Sequence, residues 1–71
     1  MKVNAEKLYF LMAEKMLSKQ DLGEKSKLSH SAISRSFKGK TVTPKTIGKI
    51  AKALDVPVRD IVNIGGENDE D

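Results

Sequence analysis

The sequence predicts an all-α fold, a compact bundle of five short helices, and three observations carry that prediction. Apolar residues recur at three- and four-residue spacing through most of the 71 residues, and no segment keeps the alternation of a half-buried strand. Helix-start signals, a Ser, Thr or Asn ahead of an apolar run, return at short intervals. The chain has no cysteine, so neither a disulfide framework nor a thiolate zinc site stabilises it. A domain near 60 residues buries only about 60% of its unfolded surface, so its stability has to come from close helix packing.

From Asn4 onward, Leu8, Leu11, Met12 and Met16 recur at helical spacing. Asn4 is the expected N-cap, and Glu6 sits in the first turn, where the helix dipole favours an acid. Ser18-Lys19-Gln20-Asp21 sets a capping Ser three residues before an acid, with Leu22 anchoring a short second helix that ends near Ser26. Ser29 or Ser31 caps a third helix running to about Phe37, with Ala32, Ile33 and Phe37 as its apolar positions and Gly39 as its stop. Thr43-Pro44 gives a cap followed by Pro at the first helical position, where its missing N–H costs nothing. Ile47, Ile50, Ala51 and Leu54 form the stripe of that fourth helix. A last short helix over about 58–62 follows Val56-Pro57, with Val58 and Ile61 expected to seal the core. Residues 1–64 are thus expected to form one domain, and 65–71 a disordered acidic tail. The short turn between the second and third helices has the spacing of two helices crossing near a right angle.

Charge is distributed unevenly. Lys and Arg number 13 against 10 Asp and Glu, for a formal net charge of +3. Glu67, Asp69, Glu70 and Asp71 crowd the end of the chain. No acid occurs between Glu24 and Asp55, a stretch holding Lys25, Lys27, Arg35, Lys38, Lys40, Lys45, Lys49 and Lys52. Uncompensated cations at that density point to a polyanion.

Other function classes are poorly served. A chain this short has little mass to wall off an enzyme cleft, and its Gly residues form no phosphate-cradling loop. His30, the single histidine, cannot build a His/Cys metal site without cysteines. The Ser residues near it have no orienting acid for nucleophilic chemistry. No catalysis, metal or cofactor is expected. No apolar run approaches the ~20 residues of a membrane span, and no secretory pattern opens the chain, so a cytoplasmic location without a membrane partner is expected.

Residues 17–39, Leu-Ser-Lys-Gln-Asp-Leu-Gly-Glu-Lys-Ser-Lys-Leu-Ser-His-Ser-Ala-Ile-Ser-Arg-Ser-Phe-Lys-Gly, resemble the helix-turn-helix of the phage repressor/Cro (Xre-type) family. The resemblance continues through Thr43-Pro44, the helix from Ile47 to Leu54, and on to Val62, covering about residues 4–62 without a gap. It implies the lambda-repressor-like DNA-binding fold, a five-helix bundle, in agreement with the helix count above. Leu22 and Ile33 match the motif's two core positions. Gly23 falls where the family usually has Ala, at the close helix crossing. Lys27 and Asp55 stand where many relatives have Gly; a left-handed Lys27 would cost of order 1 kcal/mol unless the turn differs. Met12 and Phe37 stand where the family often buries an Arg–Glu pair. An apolar swap at both positions can be neutral and keeps the contact between the first helix and the motif.

The resemblance makes the third helix the recognition helix and assigns base-edge positions to Ser29, His30, Ser31, Ser34 and Arg35. Arg35 is the strongest candidate reader, since a guanidinium pairs bidentately with guanine; a phosphate contact or plain solvation is the alternative. Lys19, Lys38, Lys40 and Lys45 match backbone-contacting positions. Pro57, Val58, Asp60 and Ile61 match a small two-fold interface, with part of that region needed in the core. Tyr9 and Phe10 cannot both face inward with Leu8 and Met12, so at least one is a surface aromatic, either partly packed or offered to a protein partner. The expected function is sequence-specific transcriptional regulation, most simply repression by a weak homodimer on a roughly palindromic operator in double-stranded DNA. The alternatives are a protein-binding regulatory module, antitoxin-like or controlled by an antirepressor, and a nonspecific nucleoid or RNA binder.

Overall fold

A computed structural model describes residues 1–62, with α1 (Ala5–Glu14), α2 (Lys19–Ser26), α3 (His30–Phe37) and α4 (Pro44–Leu54) followed by a 3₁₀ turn, Val58–Asp60. The expected domain edge at residue 64 and the acidic tail over 65–71 lie outside the described residues.

Each helix begins where a side chain satisfies an otherwise unpaired N–H. Asn4 accepts from Lys7 N–H at 3.1 Å, Ser29 from Ala32 at 3.1 Å, and Thr43 from Thr46 at 3.2 Å, just ahead of Pro44. Ser29 is therefore the cap of α3. Ser18 and Asp21 form a reciprocal box, each backbone N–H donating to the other's side-chain oxygen at 3.0 Å. The Ser18 backbone bond first, then its hydroxyl, holds the Asp21 carboxyl below its ordinary value. The depressed folded pKa means this contribution to stability is present above the unfolded carboxylate range and lost as pH falls through the folded value.

Three helices end alike. Met16, Lys27 and Asp55 adopt left-handed backbone, with φ of 55°, 60° and 59°. Each is followed by a half-buried apolar residue whose N–H returns to a helix carbonyl: Leu17 to Met12 at 2.9 Å, Leu28 to Gly23 at 3.2 Å, and Val56 to Ala51 at 3.1 Å. In each pair the turn brings the apolar residue back against the core. This corrects the reading of Met16 as part of the apolar stripe: it lies beyond the end of α1 and is 89% exposed. A glycine tolerates this φ without a Cβ penalty. Met16→Gly should therefore raise stability by up to about 1 kcal/mol, read as a higher denaturation midpoint at unchanged slope.

The core collects Leu8 and Met12 from α1, Leu22 from α2, Ile33 from α3, and Ile47, Ile50, Ala51 and Leu54 from α4. Leu11 and Phe37 pack partly buried against it, so the first helix and the motif meet through apolar side chains. The expected fifth helix is a correction. Only Val58–Asp60 coil, as a single 3₁₀ turn, and the chain then extends to pair with its own N-terminal segment. Asn4 N–H donates to the Ile61 carbonyl at 2.8 Å, and Val3 and Val62 form an antiparallel bridge. On the other side Lys2 bridges Thr41, and Val42 N–H donates to the Met1 carbonyl at 2.8 Å. The first residues thus tie the α3–α4 loop to the end of the fold. Extension lets the adjacent Ile61 and Val62 both bury, while Val58 stays 36% exposed; Ile61 and Val62, rather than Val58 and Ile61, close the core.

At the crossing of α2 and α3, a Cβ added to Gly23 would meet Ile33 Cγ1 and the Leu28 carbonyl at 3.7 Å, an ordinary contact distance. Alanine therefore fits without repacking. Gly23→Ala should stabilise by up to about 1 kcal/mol through helix propensity, checked by chemical denaturation.

Candidate nucleic-acid interface

Ile33 and Ser36 turn α3 inward; the Ser36 hydroxyl is satisfied by the Ala32 carbonyl at 3.1 Å. At 100° per residue, His30, Ser34, Lys38, Ser31 and Arg35 fall within an arc of roughly 140° on the opposite side. His30, Ser31, Arg35 and Lys38 are exposed and Ser34 is half-buried. Four of the five expected base-reading residues therefore share one face. Ser29 is exposed just before it, but its hydroxyl oxygen is already engaged as the α3 cap.

Grooves run along both sides of this face. The one toward α2 is lined by Lys19, Gln20, Glu24, His30 and Ser34 together with Gly23, Leu28 and Ile33. The one toward α4 brings Arg35 and Ala32 together with Thr41, Val42, Thr43, Pro44 and Thr46, beside Met1. Arg35 Nη2 donates to the Thr41 carbonyl at 3.1 Å, steering the guanidinium toward the loop. One of its five N–H donors is used there, leaving others for a base or phosphate.

The basic positions are held by different means. Lys19 opens α2 with its ammonium 4.8 Å from the Phe37 ring centroid and 5.9 Å from that of Tyr9. The two rings lie 4.7 Å apart, tilted by 45°. This cation–π contact, worth about 0.5–1 kcal/mol at an exposed site, orients Lys19 from α1 and α3 at once. Tyr9 is therefore a packed surface aromatic, while Phe10 is 75% exposed. Lys38 and Lys40 are exposed beyond α3, with the Lys40 N–H donating to the Arg35 carbonyl at 3.1 Å, and Lys45 is exposed in the first turn of α4. Of the positions expected at a two-fold interface, Pro57, Val58 and Asp60 are exposed, whereas Ile61 is fully buried in its own chain's core.

The sequence reading passed over Gln20, Glu24 and Thr41. Gln20 and Glu24 stand one turn apart on α2, a spacing that marks a shared face and could have revealed them. Glu24 is the one acid lining the α2–α3 groove. Among the described residues no group of three His, Cys, Asp or Glu side chains could hold a metal, and no helix is long and apolar enough to cross a membrane.

Compared with known proteins, residues 8–61 match a family model described as Helix-turn-helix. The match runs from within α1 to just past the 3₁₀ turn, so it takes in the exposed face of α3 and, apart from Met1, the lining of both grooves. No curated protein and no solved structure matches the chain.

Proposed function

Because the chain belongs to the phage repressor/Cro (Xre-type) helix-turn-helix family of DNA-binding transcription regulators, we propose that it is a sequence-specific repressor acting as a homodimer on a roughly palindromic operator. Residues 1–64 form the DNA-binding unit in this reading, and α3 enters the major groove, which is about 12 Å wide and admits one helix. The observation that carries it is the exposed face of α3, small and polar from His30 to Arg35 and bordered by cations. His30, Ser31, Ser34 and Arg35 read base edges, and Ser29, whose oxygen caps α3, has only its O–H left to offer beside them; Lys19, Lys38, Lys40 and Lys45 hold phosphates. Pro57, Val58 and Asp60 supply the two-fold contact, with Ile61 supporting them from inside. The two recognition helices enter successive major grooves about 34 Å apart, and occupancy near a promoter blocks transcription by occlusion.

Selection of bound fragments from random duplexes gives the operator, and two variants then test the assignment. Arg35→Ala should relax sequence choice at one base pair per half-site, with about 1–3 kcal/mol of discrimination lost. Lys40→Ala should weaken selected and random duplexes alike. Equal effects of both variants on both duplexes would remove Arg35 as the reader. A second reading, a protein partner docking on α1, draws support from the exposure of Phe10 beside Tyr9. A purified binding partner whose affinity falls on Phe10→Ser, with operator affinity unchanged, would establish it.

A further inference from the structure

The acid-free stretch does not fold into one patch. Arg35, Lys38, Lys40 and Lys45 accompany α3 and the start of α4, whereas Lys25, Lys27, Lys49 and Lys52 line a separate cleft between the C-terminal ends of α2 and α4. Only Ser26 and Ala53 complete its lining, and nothing from α3 or from the loop after it contributes. Around α2, Lys25 stands roughly 170° from the middle of the face that borders the recognition helix. The Ser26 hydroxyl is consumed by the Leu22 carbonyl at 2.7 Å, so the side-chain polar groups left to the cleft are the four ammoniums. Lys25 shares its field with Asp21, while no ion pair engages Lys27, Lys49 or Lys52 among the described residues.

We propose that this cleft is a second, sequence-independent contact for the phosphate backbone of duplex DNA, so that protein seated on its operator holds another duplex segment. The inference rests on the DNA-binding reading above. Four like charges gathered in one cleft repel each other, and a polyanion relieves that repulsion while releasing its own counterions. An acidic protein would need a shaped apolar or directional site to be fixed in place, and the apolar lining of the cleft is confined to Ala53 and the aliphatic stems of the four lysines. A phosphate backbone asks only for positive charge at the right places. The duplex occupied by α3 is an unsuitable source. DNA with a persistence length of about 150 bp resists curling around a body of 31 × 23 × 17 Å to reach its far side. A second segment needs no bending, and duplex DNA is concentrated wherever the first contact is made.

Immobilised operator loaded with protein and washed free of excess should capture a labelled random-sequence duplex at 50 mM salt. If four phosphates are engaged, capture should weaken about 150-fold by 200 mM salt. The K25Q/K49Q/K52Q variant should keep its helical circular dichroism and its operator binding while losing capture at least about tenfold, as expected when most of the neutralised phosphates go unpaired. Operator held without capture by the wild type, or capture unchanged in the variant, overturns the second contact. A wild-type chain that holds no operator in any selection overturns the reading beneath it.

Discussion

Raising the salt concentration from 50 to 200 mM should lower affinity for the selected operator by about 10⁴-fold, the largest effect expected of any single change in conditions. The magnitude follows from a count of cations. Lys19, Lys38, Lys40 and Lys45 are all exposed and flank the α3 face. Two protomers would neutralise about eight phosphates, and each contributes about 0.9 to the slope of log affinity against log salt, for a slope near −7. Lys19 is the informative member, because its ammonium sits over Phe37 and Tyr9 before any DNA arrives. Less side-chain freedom is lost on binding there than at Lys40. Anisotropy titrations across the salt range measure the slope. A slope shallower than about −2 would mean that few phosphates are neutralised, and the assignment of these lysines would be abandoned.

How much of this was legible beforehand depends on how far apart the interacting residues lie in sequence. Caps are local chemistry, and Asn4, Ser18 and Thr43 could be assigned from three-residue spacing because the bond itself spans three residues. The apolar stripe gave Leu8, Met12, Leu22, Ile33 and Ile47, all buried. Met16 misled because it continues the stripe's spacing, yet the chain turns left-handed there and Leu17 packs against the core instead. The last helix was overextended because the Val3–Val62 bridge joins opposite ends of the described fold, and no local window contains both residues. The candidate site shows the same division. That His30, Ser34 and Arg35 share a face follows from helical period, whereas the Arg35–Thr41 bond and the Tyr9–Phe37–Lys19 stack are tertiary facts. The acid-free stretch was visible as a run of charge; its division between two faces needed the packing of α2 on α4.

Ile33→Ala should destabilise the domain by about 2–5 kcal/mol, enough to leave much of it unfolded. Ile33 is 3% exposed and carries α3 against α2, with its Cγ1 beside the glycine at the crossing. At about 0.05–0.15 kcal/mol per residue, a 71-residue chain has roughly 4–11 kcal/mol of stability in total, so one cavity consumes a large fraction of it. Collapse could refill the space only by moving α3, the helix whose outer face carries His30, Ser31, Ser34 and Arg35. Ile33→Val removes a single methylene, should cost only about 0.5–1.5 kcal/mol, and should leave α3 in place. Denaturation midpoints and operator affinity measured on the same samples separate the two consequences. If Ile33→Ala lowers affinity only in proportion to its unfolded fraction, α3 keeps its geometry whenever the domain is folded. If affinity falls further than that at low temperature, where the folded fraction is restored, α3 has shifted in the folded state. An Ile33→Ala variant as stable as the wild type would contradict the placement of Ile33 in the core, and with it the orientation of the recognition face.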